Sequence, residues 1–201
     1  KKNFGNDVDI SLFKYPDDLL QAIKENPPDI LGCSNYTWNS NLSYYFTQLG
    51  KSLNPEMVTV WGGTNYPFDS LHQEKFLRKR LDLDVHIFYE GELALSNIIR
   101  KLLSVSTPKK LFDSAIDGCQ FISPEDGSFV SGAELPRIKD LDSIPSPYTT
   151  GLLDKFFDGK LTPLMETARG CPFLCNFCNA GDAYYNKVNQ FLIKKGFKCL
   201  E

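Results

Sequence analysis

No apolar run of membrane-spanning length occurs in the 201 residues, and no segment has the basic–apolar–small order of a signal peptide. A cytoplasmic location is therefore expected, with no membrane partner. A charge excess is missing as well: 22 basic against 25 acidic residues leave a formal −3. That gives no electrostatic footprint for nucleic acid. Internal repeats and low-complexity tracts are absent. The apolar fraction of 42% and charged fraction of 23% are ordinary for a globular protein and exclude disorder for most of the chain. An initiating methionine is also lacking, and the chain stops soon after its densest cysteine cluster. The expectation is a piece of a longer protein.

Short β-branched or apolar runs alternate with amphipathic stretches over the first hundred residues. Strands are predicted at Asp7–Phe13, Asp29–Ser34, Met57–Trp61 and Val85–Tyr89, and helices over 16–24, 42–53, 70–80 and 92–103. Asp17 marks the start of the first helix and the pair Pro27-Pro28 its end. Alternation at these lengths implies βαβ units and a parallel sheet covered on both faces, an α/β doubly wound domain of the flavodoxin or Rossmann type. Ligands of such sheets sit at the carboxyl ends of the strands. The loops that matter are then Ser34–Asn39, Gly62–Pro67 and Tyr89–Glu92. Beyond a polar linker at 104–110, Cys119–Val130 reads as a hairpin turning at Glu125-Asp126-Gly127, and 135–148 as a proline-rich connector.

Six cysteines are distributed unevenly, with Cys171, Cys175 and Cys178 inside eight residues and Cys33, Cys119 and Cys199 scattered. A secreted disulfide framework would be spread through a shorter chain, so the cluster points to metal or redox chemistry. Pro172 rules out a regular helix through the first interval and leaves a loop wrapped around something compact. A cubane iron–sulfur cluster normally takes four thiolates, and three local ones leave one iron open to bind a substrate. The structural alternative is an all-cysteine zinc ribbon using Cys199, 21 residues past Cys178. Such ribbons normally use two CxxC knuckles, and Cys199 has no partner cysteine.

CxxxCxxC with an aromatic residue before the third cysteine, preceded by Arg169-Gly170, resembles the signature loop of the radical SAM superfamily. The resemblance implies a 4Fe-4S cluster on Cys171, Cys175 and Cys178, with S-adenosylmethionine on the open iron and Phe177 near its adenine. The implied chemistry is reductive cleavage to a 5′-deoxyadenosyl radical, fed by an electron donor such as flavodoxin or ferredoxin, on a small-molecule or peptide substrate. No acid, base or radical-relay residue can be named from the sequence.

A doubly wound domain ahead of that loop resembles the cobalamin-binding subclass of the superfamily. The matching residues are Ser34 with Tyr36–Asn39, Gly62-Gly63, Glu90-Gly91-Glu92 and the connector Ile138–Pro147. By this resemblance Ser34, Gly62, Gly63, Glu90 and Gly91 would line a cobalamin site, the glycines letting backbone approach a bulky corrinoid. The bland alternative is a turn at Gly-Gly and an acidic helix start at Glu-Gly-Glu. Asp84-Val85-His86 begins the D-x-H-x-x-G pattern of proteins that ligate cobalt with histidine, but Tyr89 stands where glycine belongs. His86 is therefore expected to be an ordinary strand residue and His72 a helix-surface one. The expected division is a cobalamin-binding-like domain over 1–104 lacking its first strand and helix, a hairpin and linker over 105–160, and the start of a radical SAM β/α barrel over 161–201. The implied function is methyl transfer or rearrangement. Its rival is a corrinoid- or nucleotide-binding module with a structural zinc loop.

Overall fold

The computed structural model describes residues 2–164, 169–171, 173, 175, 177 and 178, in two compact units, Asn3–Leu135 and the chain from Pro136 onward. The first unit is built on one five-stranded sheet in the order β1-β2-β3-β4-β5: β1 (Ile30–Ser34), β2 (Val58–Gly62), β3 (Val85–Ile87), β4 (Cys119–Ile122) and β5 (Phe129–Ser131). The first three strands are parallel and β3-β4-β5 antiparallel. Four helices accompany them: α1 (Pro16–Glu25), α2 (Ser40–Leu53), α3 (Ser70–Arg78) and α4 (Gly91–Ser104).

The sheet is covered on both faces because side chains alternate along its strands. Val58, Val60, Val85 and Ile87 share one core cluster with Ala94 and Ile98 of α4. Trp61, in the opposite phase of β2, packs with Leu77 of α3 and Tyr44 of α2 on the other face. Leu31 joins Ile23 of α1 and Phe46 of α2 in a third cluster. Fully burying one such side chain is worth about 1.5–3 kcal/mol, so β2, buried along its length, anchors the unit. Its one large polar liability is met: the Trp61 indole donates to Thr47 Oγ1 at 2.9 Å.

The predicted strand over residues 7–13 is not formed. A 3₁₀ turn occupies Gly5–Asp7, and residues 8–14 run without a ladder partner. Alternating apolar residues favour extended backbone, but a strand exists only where a neighbour supplies hydrogen bonds. The predicted hairpin is present as β4–β5. It extends the sheet through β3, so the first unit runs to Leu135 and takes in the hairpin that the expected division places with the linker.

In the second unit the described residues form two short 3₁₀ turns, Leu141–Ser143 and Asp154–Phe156, with Phe156 buried. The expected barrel start lies mostly outside the described residues. No helix among the described residues is long and apolar enough to cross a membrane.

Candidate corrinoid and cluster sites

Parallel register sets Ser34, Gly62 and Ile87 side by side at the carboxyl edge of the sheet. The three expected loops leave the sheet from that line. The first two are locked together by a pair of asparagines. Asn35, wholly buried, donates its backbone N–H to the Gly62 carbonyl at 2.7 Å and its Nδ2 to the Asn65 carbonyl at 2.6 Å. Asn65 returns its backbone N–H to the Asn35 carbonyl at 3.1 Å and its Nδ2 to Asn35 Oδ1 at 3.2 Å.

Gly63 is what allows the clasp. Its φ is +133°, and a Cβ there would lie 2.5 Å from the Asn35 carbonyl oxygen. The glycine thus serves the approach of one loop to the other. Around Gly91 there is more room, since a Cβ would meet only an Ile87 methyl at 4.0 Å. Asn39 folds the first loop back, its Oδ1 accepting the Tyr36 N–H at 2.8 Å while its Nδ2 donates to Ser34 Oγ at 2.9 Å. Tyr36 and Trp38 stack at 4.8 Å and 1°, which leaves the Trp38 ring 82% exposed. Glu90 is the N-cap residue of α4 and Glu92 lies in its first turn, where the helix dipole favours acid. Tyr89 just before them takes a left-handed φ of 61°, the conformation glycine would adopt freely.

Neither histidine reaches this edge. His86 lies within β3, wholly buried, and burial pushes its imidazole down to about 3. Asp84 sits at the opposite end of the sheet, paired with Lys51 at 2.6 Å and accepting the Thr59 N–H at 2.7 Å. The partial D-x-H pattern is therefore structural. His72 is on exposed α3, its Nδ1 2.7 Å from the Asp69 carboxylate that caps the helix. The edge offers the exposed hydroxyls of Ser34, Thr37 and Thr64, loop backbone and a flat indole. That donor set suits a large ligand rich in neutral amides, gripped at its periphery and not through a protein imidazole.

The cysteine loop belongs to the second unit. Gly170 takes φ 101°, and the Cys178 N–H donates to the Cys175 carbonyl at 3.1 Å, closing a tight turn between two of the thiols. Cys171 and Cys175 are half-buried, Cys178 is exposed, none is in a disulfide, and Phe177 is 88% exposed. As donors, three free thiols fit an iron–sulfur cluster. Among the described residues, however, no three metal-binding side chains are gathered closely enough to hold an ion. Cys199 lies outside the described residues. Cys33 and Cys119, in the sheet, are poor ligands by contrast: burial raises their thiols to about 11 and about 12, with Asp117 adding to the rise at Cys119.

Comparison with known proteins bears on both sites. Residues 1–99 match the B12 binding domain family, a span that includes all three strand-end loops. The chain is 30% identical to the cobalamin-dependent radical SAM methyltransferase TokK of Streptomyces tokunonensis over 191 residues, 89% of this chain and 27% of TokK. The chain is thus similar to a cobalamin-dependent radical SAM enzyme over most of its length, with a B12 binding domain match over its first 99 residues. A second relative, the anaerobic magnesium-protoporphyrin IX monomethyl ester cyclase of Rubrivivax gelatinosus, is 29% identical over 81% of this chain and 29% of its own length. The fold is shared with the cobalamin-dependent S-adenosylmethionine radical enzyme OxsB, with a TM-score of 0.57 at 20% identity over 82% of this chain and 22% of OxsB. The chain spans less than a third of the length of each of these three proteins.

Sequence reasoning found the loops but not the asparagines that tie them. Asn35 and Asn65 sit one and three residues past strand ends, and only their pairing across 30 residues marks them.

Proposed function

We propose that this chain is the corrinoid-binding and cluster-bearing part of a cobalamin-dependent radical SAM enzyme, acting in methyl transfer or rearrangement on a small-molecule or peptide substrate. The observation that carries the reading is a B12 binding domain match over the Asn35–Asn65-clasped loops in a chain that continues to Cys171-x-x-x-Cys175-x-x-Cys178. The loops bearing Ser34, Gly62, Gly63, Glu90 and Gly91 would receive the corrinoid, with the exposed Trp38 ring as a flat apolar contact. Cys171, Cys175 and Cys178 would hold the 4Fe-4S cluster, and Phe177 would pack on the adenine of S-adenosylmethionine. When bound, cluster and S-adenosylmethionine supply radical chemistry, with electrons from a flavodoxin- or ferredoxin-like donor. The protein's own work is to pre-form the corrinoid edge, keep Cys33 and Cys119 protonated and out of competition for iron, and present three thiols in one loop. Metal binding and local folding are coupled wherever a site is not pre-formed, so iron is expected to draw the three thiols together.

A second reading is a corrinoid- or nucleotide-binding module with a structural zinc loop, since the same three thiols are also of the type that ligates zinc. Anaerobic reconstitution with iron and sulfide, followed by EPR of the reduced protein with and without S-adenosylmethionine, separates the two. A cubane signal that changes on adding the cofactor, and is lost in Cys171→Ala, Cys175→Ala and Cys178→Ala, supports the enzyme. One tightly held zinc and no cluster supports the module.

A further inference from the structure

The turn after β2 is held from beneath by a closed circuit of buried side chains. Tyr66, 9% exposed, donates its hydroxyl to Gln120 Oε1 at 2.7 Å. Gln120 of β4, 5% exposed, donates Nε2 to Gln73 Oε1 at 3.0 Å and to Ser131 Oγ of β5 at 3.1 Å. Gln73 of α3 donates its own Nε2 to the carbonyl oxygens of Pro67 at 2.9 Å and Phe68 at 3.3 Å. The circuit leaves the turn at residue 66 and returns to it at residues 67 and 68.

Its polarity is fixed. The Tyr66 hydroxyl supplies a proton to Gln120 Oε1, which aims the Gln120 amide at Gln73 Oε1 and hence the Gln73 amide at the turn's carbonyls. Flipping Gln73 alone would set its amide donor against that of Gln120 and its oxygen against the turn's carbonyls, and flipping Gln120 alone would set two amide oxygens against each other. The Tyr66 ring is held as firmly as its hydroxyl, stacked on His86 at 3.6 Å and 7° and met edge-on by Phe76 at 5.0 Å. Neither His86 ring nitrogen has a hydrogen-bond partner among the described residues, so the imidazole acts here as a flat plate. Buried polar networks that are fully satisfied rigidify one conformation.

We propose that Tyr66, Gln73 and Gln120 are positioning residues that hold the Gly62–Phe68 turn in the shape that receives the corrinoid. The proposal rests on the corrinoid reading above. A ligand site whose loops are set in advance loses less freedom on binding, so loosening the turn weakens affinity without removing any contact to the ligand.

The test uses hydroxocobalamin titration and hydrogen exchange of the amides between Gly63 and Phe68 in the full chain. Tyr66→Phe removes the hydroxyl and keeps the ring stack, and Gln120→Met breaks the node at similar volume. Both are expected to raise the hydroxocobalamin Kd about tenfold and to speed exchange in the turn. Thr59→Val, at the opposite end of β2, is the control for stability alone. It is expected to lower the Tm comparably and to leave both readouts at wild-type values. Wild-type Kd in Tyr66→Phe and Gln120→Met, or an equal loss of affinity in Thr59→Val, overturns the positioning role. A wild-type chain that ignores hydroxocobalamin overturns the corrinoid reading itself. Exchange then still decides the circuit: faster in the two variants supports it as the brace of the turn, unchanged sinks it.

Discussion

At Gly63 two constraints coincide, a left-handed backbone and a carbonyl 2.5 Å from where a Cβ would stand. Gly63→Ala is expected to cost about 1–3 kcal/mol, read as a fall in the urea midpoint, because the strain can be relieved only by opening the Asn35–Asn65 clasp. An unchanged midpoint would mean the clasp does not order the loops. His86 gives a second residue-scale outcome. Its buried imidazole titrates near 3 when folded and near 6.5 when unfolded, so between those values the unfolded chain takes a proton that the folded chain refuses. This contribution to stability is complete above pH 6.5 and is lost as pH falls, by about 2 kcal/mol at pH 5. His86→Phe is expected to lose correspondingly less stability than wild type between pH 7 and pH 5 in urea unfolding. Equal losses would sink the assignment.

Among the elements, the loop after β1 separates holding from receiving. Asn35 is buried and ties two loops, whereas Trp38 stands in solvent on Tyr36. Asn35→Ala is expected to destabilise by about 1–3 kcal/mol, since it strands the Asn65 carbonyl and amide. Trp38→Ala is expected to stay within about 0.5 kcal/mol of wild type in stability, as exposed substitutions do. Its hydroxocobalamin affinity should fall several-fold, by about the 0.5–1.5 kcal/mol of an aromatic contact. Thermal melts and titrations of the pair check both, and a Trp38→Ala chain with intact affinity would remove that ring from the site. Much of this element was legible. Periodicity placed α1 to α4, β1 to β3 and the three loops, because each strand is buried on at least one face and each helix is amphipathic. The strand over residues 7–13 was misread because alternation reports a preference for extended backbone and says nothing about a ladder partner. The brace under the β2–α3 turn was not legible, since Tyr66, Gln73 and Gln120 are joined across as many as 54 residues and each alone looks like an ordinary polar or aromatic residue.

On the scale of the whole molecule, the first unit carries its own sheet, three core clusters and the strand-end loops, all within Asn3–Leu135. A chain ending at Leu135 is expected to fold cooperatively and to bind hydroxocobalamin as the full chain does, while giving no cluster signal after reconstitution. Circular dichroism melts and absorbance titration test this. A shortened chain that fails to melt cooperatively would show that the sheet depends on residues beyond the hairpin.

The sequence by itself determined the kind of sheet and the spacing of the three clustered thiols. Three thiols at CxxxCxxC spacing and alternating β and α periods are local patterns, set by residue type over a few turns of chain. Tertiary structure decided how the sheet and its loops are joined. It put the hairpin onto β3, made Gly63 the seat of an interloop clasp, and buried His86 as a plate beneath Tyr66. Each of these depends on contacts between residues tens of positions apart, where burial and hydrogen-bond satisfaction, not local propensity, select the outcome.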